Sequence, residues 1–127
     1  MGLTYTTVLA DETGQARMEE RTIEFDGELS APPAEPLKVA SLVSAFGVPS
    51  EVMLVTGDAA WAGSEPHPAP ARLLWAILAG DWQVKIDDAI ERTFRPGDLV
   101  LFEDTAGSGH SSRILTDGAL AIVLRLQ

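Results

Sequence analysis

The chain is expected to be all-β, a sandwich or barrel of short strands. Three observations carry this. Over Trp82-Gln83-Val84-Lys85-Ile86, apolar and polar residues alternate, so a period of two puts Trp82, Val84 and Ile86 on one face. Leu73 to Ala79 is wholly apolar, with the length of a buried strand. Turn signals built on Gly, Pro and Asp punctuate the chain at short intervals.

Each element follows from its own residues. Leu3 to Leu9 alternates weakly and ends at the turn Asp11-Glu12-Thr13-Gly14. Met18 to Phe25 carries Glu19, Glu20, Arg21 and Glu24 between apolar positions, which suits an exposed or edge strand. Asp26 to Pro36, rich in Pro and Glu, reads as a loop crossing the surface and covering one end of the core. Leu37 to Phe46 fits a strand or a short helix equally. Val52 to Thr56 is a strand, followed by a long Gly/Ala/Pro segment from Gly57 to Pro70. Beyond the apolar run, Gly80-Asp81 turns the chain into the Trp82 strand, and Asp87-Asp88 turns it back through Ile90 to Phe94. Pro96-Gly97 turns again into Leu99 to Phe102, and Ile114-Leu115 and Ala119 to Leu126 complete the sheet. No internal repeat is legible. One domain is expected over residues 1–127, with 1–36 giving the N-terminal strands and covering loop and 37–127 the barrel core.

Composition excludes several functions. The net charge of −10 argues against nucleic acid, because phosphate binding needs clustered Lys and Arg, and the nine here are scattered. An anionic substrate would need a local basic exception, which Arg72 or Arg113 could supply, each near a histidine. No run approaches the ~20 apolar residues of a membrane helix, and the first residues lack the basic and apolar regions of a signal peptide. Gly2 with Thr6 fits only part of a myristoylation pattern. Cysteine is absent, which removes disulfides and thiolate catalysis and suits a cytoplasmic location. No membrane partner is expected.

The chemistry gathers at two histidines. His110 follows the Gly107-Ser108-Gly109 turn and opens a returning strand, where its ring can face a barrel mouth. His67, in Pro66-His67-Pro68-Ala69-Pro70, also stands just before an apolar strand. These are the chain's only two side chains that ordinarily titrate near neutrality. Glu103 and Asp104 lie on the strand end before the loop to His110, placed to orient its ring. Trp75 offers a flat wall for a ring-shaped substrate.

Pro96-Gly97-Asp98, a hydrophobic strand, a glycine turn and His110 together resemble the second conserved motif of the cupins. The loop from Gly97 to His110 is longer than the usual form. His67-Pro-Ala-Pro-Ala-Arg72, then Leu73 to Ala79 and Gly80, resembles a reduced first motif. With Glu103-Asp104-Thr105 before Gly107-Ser108-Gly109-His110, the match is to small single-domain cupins, over roughly residues 61–114. The resemblance implies a cupin-like double-stranded β-helix, a jelly-roll barrel, and a homodimer paired through its sheets. It also implies a metal site of three histidines and a glutamate, from which this chain departs. Ala69 falls at the second histidine position and Leu73 near the glutamate position. His67 and His110 remain as ligands for one divalent transition metal, with Glu65, Glu103 or Asp104 as the carboxylate.

Several readings stay open at this level. One is an enzyme of isomerase, cyclase or lyase type, with His110 and His67 dividing acid and base roles and Trp75, Arg72, Glu103 and Asp104 contributing to binding. It works with no cofactor or with a weakly held metal. Another is a non-catalytic barrel that binds or senses a small ligand. In the plainest, His110 caps its turn, His67 is an exposed loop residue, Asp104 accepts backbone N–H groups, and Trp75 and Trp82 fill the core.

Overall fold

Strands β1 (Gly2–Ala10) and β2 (Ala16–Glu24) form an antiparallel hairpin whose register is unbroken from Gly2 opposite Glu24 to Ala10 opposite Ala16. The computed structural model describes every residue except Ser64 and Asp88. Asp11 closes the hairpin turn: its carboxylate accepts from Thr13 N at 2.9 Å, Thr13 Oγ1 at 2.7 Å and Gln15 N at 3.0 Å.

The segment expected as a covering loop is instead a second hairpin. Strands β3 (Gly27–Ala31) and β4 (Ala34–Val39) pair as a separate two-stranded sheet. Leu29 and Leu37 are cross-strand partners and both stay largely exposed, so burial leaves little periodic signal to read. Both strands are edges, which is where a strand tolerates a residue such as Pro36. Leu37 to Phe46, which fits either period, is divided between strand and helix. Helix α1 (Leu42–Phe46) begins where Ser41 Oγ accepts the Ser44 N–H at 3.1 Å.

The remaining strands are β5 (Pro49–Gly57), β6 (Arg72–Ala79), β7 (Trp82–Lys85), β8 (Glu91–Phe94), β9 (Leu99–Phe102), β10 (Ser111–Ile114) and β11 (Ala119–Leu126). They join β1 and β2 in a six-stranded sheet ordered β2-β1-β9-β6-β11-β5 and a three-stranded sheet ordered β10-β7-β8. As expected, β2 is an edge. β1 runs parallel to β9, which seats the first hairpin against the strand leading to His110.

The two sheets enclose the larger core. Val8, Ile77, Val100, Phe102 and Ala121 come from one, and Trp82, Val84, Phe94 and Ile114 from the other. Trp82, Val84 and Ile86 are all buried there, as their alternation requires. On the other face of the larger sheet, Ile23, Leu74, Leu101 and Leu126 pack with Phe46 of α1, whose ring meets Tyr5 edge-on at 5.4 Å. Each large side chain so buried contributes ~1.5–3 kcal/mol relative to exposure. The apolar run reads as it does because β6 feeds both cores, Leu74 on one side and Ile77 on the other. Among the described residues no helix is long and apolar enough to cross a membrane.

Candidate functional site

Strand alternation decides which residues beyond β9 face inward. Val100 and Phe102 join the core between the sheets, while Leu101 joins the opposite one. Asp104 continues the inward set and is fully buried, whereas Glu103 falls on the outer side with Leu101.

The chain then turns through Gly107 and Gly109, with φ of 83° and 73°. A Cβ on Gly109 would collide with the carbonyl group of His67 and the nitrogen of Pro68. Glycine therefore permits both the turn and the close approach of the two histidine segments. Across it, His67 N–H donates to His110 O at 2.9 Å and His110 N–H to His67 O at 3.0 Å, an isolated antiparallel bridge. Ala69 N–H donates to Asp104 O at 2.9 Å, tying the same segments a second time.

The side chains follow from that backbone. The His67 and His110 ring centroids stand 5.4 Å apart at 48°. His110 is buried, stacks on Phe102 at 4.3 Å and 27°, and sets Nδ1 2.5 Å from Asp104 Oδ2. A carboxylate can only accept, so Nδ1 carries a proton, and whenever the ring is neutral Nε2 keeps the lone pair. His67 is exposed, and its Nδ1–H donates to Pro68 O at 3.0 Å, leaving Nε2 in the same condition. Neither Nε2 has a hydrogen-bond partner among the described residues.

Both rings line one cavity of about 230 Å³. The chain's three tryptophans, Trp61, Trp75 and Trp82, line it too, with Phe94 and Phe102. Trp75 packs edge-on against Trp82 at 5.3 Å and Phe102 at 6.3 Å. Ser112 adds a polar residue to a mainly apolar wall; Gln83 lines it too, with its amide turned to Arg113. Among the described residues three buried polar side-chain atoms stand without hydrogen-bond partners: Trp75 Nε1, Asp104 Oδ1 and Thr7 Oγ1.

The fold thus brings His67, His110 and Trp75 to one cavity and puts Asp104 behind His110. Arg72 and Glu103, expected to bind alongside them, lie elsewhere. Arg72 Nε donates to Glu103 Oε2 at 3.2 Å and Arg21 Nη1 to Glu103 Oε1 at 3.1 Å, on the far side of the large sheet. The cause is parity: one step along the strand moves a side chain to the opposite face. Burial opposes the charge on Arg21, yet Glu19 and Glu103 beside it hold its guanidinium above the ordinary arginine range.

The donor set does not fit a resident metal. Among the described residues no group of three or more His, Cys, Asp or Glu is placed to hold one. Asp104 is committed to His110 Nδ1, Glu103 to two arginines, and Glu65 is exposed and outside the cavity lining. Ala69 is buried and Leu73 lines the cavity, so the two vacant ligand positions carry hydrocarbon.

Sequence reasoning missed Trp61, Gln83, Ser112 and the two phenylalanines of the wall. Trp61 is pinned beside β10 by Ile114 N–H to Trp61 O at 3.2 Å and Gly63 N–H to Ser112 O at 2.8 Å. Its one signal was a large aromatic inside a Gly/Ala/Pro segment. No protein-family model and no curated protein matches the chain.

Proposed function

We propose that this chain is a small cupin-like barrel enzyme that moves protons on a small organic molecule without a resident metal. The observation that carries the reading is the Asp104–His110 hydrogen bond at the wall of an apolar cavity that His67 also lines. His110 Nε2 takes a proton from a carbon or oxygen acid, and Asp104 steadies the imidazolium that forms. His67, at the exposed end, takes up a proton from solvent on Nε2 and passes it to the substrate. Isomerisation, cyclisation and elimination all fit this division of roles. The aromatic walls limit water, which strengthens each charge interaction inside.

The jelly-roll assignment is supported by two facing sheets and by the Pro96-Gly97-Asp98 turn. Asp98 N–H there donates to Arg95 O at 2.9 Å, and Arg95 N–H to Asp98 Oδ2 at 2.8 Å. The chain also pairs as a homodimer. Its support is β5, an open edge strand with Val52 and Leu54 exposed.

The mainly apolar lining favours a second reading, a barrel that holds a ligand without transforming it. Deuterium uptake by a panel of small cyclic ketones and enols in D2O, followed by NMR, separates the two. The enzyme reading expects uptake that His110→Ala slows by ~10²-fold or more. Ligand binding without uptake favours the barrel that only binds. Uptake and affinity unchanged in both His110→Ala and His67→Ala would place the site elsewhere.

A further inference from the structure

We infer that the ligand is an uncharged ring compound bearing an acidic hydroxyl, a phenol or a cyclic enol, with its O–H on His110 Nε2 and its ring among the tryptophans. The inference rests on the cavity reading above and adds the chemical class. Among the described residues, no Lys, Arg, Asp or Glu lines the cavity. The two arginines that stand near the histidines in sequence are both turned away from it. Arg72 meets Glu103 on the outer face of the large sheet. In the small sheet, Ser112 pairs with Val84 and Arg113 with Gln83. The alternation that turns Ser112 and Val84 into the cavity therefore turns Arg113 to the opposite face. A carboxylate or phosphate entering here would give up its water and meet no cation, in a chain of net charge −10.

The walls offer polar contact at few points. Trp82 Nε1 already donates to Ala79 O at 3.3 Å, and the Gln83 amide oxygen accepts from Arg113 at 2.7 Å. His110 is different. Its ring is buried against Phe102 and its Nδ1 is held by Asp104. Its Nε2 has no partner, yet is not among the sealed polar atoms, so it opens on the cavity that the ring lines. That nitrogen answers a hydroxyl in either protonation state. On the neutral ring its lone pair accepts the ligand O–H, and on the imidazolium its N–H donates to the ionised ligand oxygen. One proton lies between the same two atoms in both cases, and the complex keeps the same charge. A carboxylate adds a negative charge to that pair, and an ether brings no proton to it.

Calorimetric titration at neutral pH with 2-naphthol, 2-methoxynaphthalene and naphthalene-2-carboxylate tests this. The naphthol is expected to bind about tenfold more tightly than the ether, and the carboxylate more weakly than either. His110→Phe should abolish the preference for the hydroxyl and leave the ether's affinity unchanged, with circular dichroism checking the fold. Because that change strands the buried Asp104 carboxylate, the double variant Asp104→Leu with His110→Phe, which removes both partners, is made beside it and should lose the same preference. Equal affinity for naphthol and ether, or a carboxylate that binds most tightly, overturns the class while the cavity reading stands. A hydroxyl preference that survives in a folded variant puts its acceptor elsewhere and also overturns it. If none of the three probes binds, the cavity reading falls and takes this inference with it.

Discussion

His67 and His110 exchange both backbone hydrogen bonds, at 2.9 and 3.0 Å, across an isolated bridge that places their rings 5.4 Å apart. The relationship is made by the main chain, so either ring can be removed with the bridge left standing. Its weak point is Gly109, which lies against the His67–Pro68 peptide.

Gly109→Ala should therefore damage the site more than loss of either ring does. A φ of 73° alone costs a non-glycine residue ~1–2 kcal/mol, before the collision with the His67 carbonyl. Thermal unfolding is expected to fall by several degrees. Transfer of magnetisation between the two imidazoles should weaken as the segments part. An unchanged Tm with both rings still in contact would show that the approach is not tight.

Asp104→Asn tests the tautomer. The carboxylate accepts from His110 Nδ1–H, whereas an amide can turn its NH2 toward that nitrogen and drive the proton to Nε2. The base nitrogen would then be blocked. Nitrogen-15 spectra of the ring should show the protonated position moving from Nδ1 to Nε2. With a substrate in hand, kcat/KM should fall by at least ~10²-fold while affinity for a neutral ligand changes little. Unmoved ring spectra would reduce Asp104 to a structural role.

Asp11 gives a pH dependence with a defined sign. The side-chain hydrogen bond from Thr13, opposed by slight desolvation, leads the causes that hold its carboxyl below the ordinary range, with help from backbone N–H groups and Arg17. A depressed folded-state pKa means stability fully present above the unfolded value and lost as pH falls through the folded one. Asp11→Ala should accordingly lower stability at neutral pH and converge with the parent chain in acid. Urea midpoints at the two pH values measure this, and a constant difference between them would remove Asp11 as the cause.

Much of the fold was legible because its strands obey one rule at a time. Leu99 to Phe102 and Ala119 to Leu126 coincide with β9 and β11, since turns bound both and cores take their side chains. The β3–β4 hairpin was not legible because backbone pairing alone holds it, with Leu29 and Leu37 left in solvent. At the site, the two histidines were placed by turn-to-strand position, and Trp75 was singled out only as a flat wall. Arg72 and Glu103 failed because nearness in sequence to a histidine carries no information about strand face, and here parity turned both outward. The Ser112 and Gln83 wall depends on which strands become neighbours in the small sheet, a long-range fact that no local pattern encodes.

Assembly can be tested at the opposite edge from the one the sequence favours. Expectation placed the exposed edge in the N-terminal strands, but β2 carries Arg17, Glu19, Glu20 and Arg21, charges that protect an edge from pairing. The other edge, β5, is nine residues long with Val52 64% and Leu54 71% exposed, opposite Leu124 and Ile122 of β11. Long apolar edges of this kind pair with another chain. Light scattering at tens of micromolar should give twice the 13.5 kDa chain mass. Leu54→Lys should return the monomer with an unchanged circular dichroism spectrum, because an exposed leucine contributes little to its own core. A parent chain that already scatters as a monomer would remove β5 as an interface.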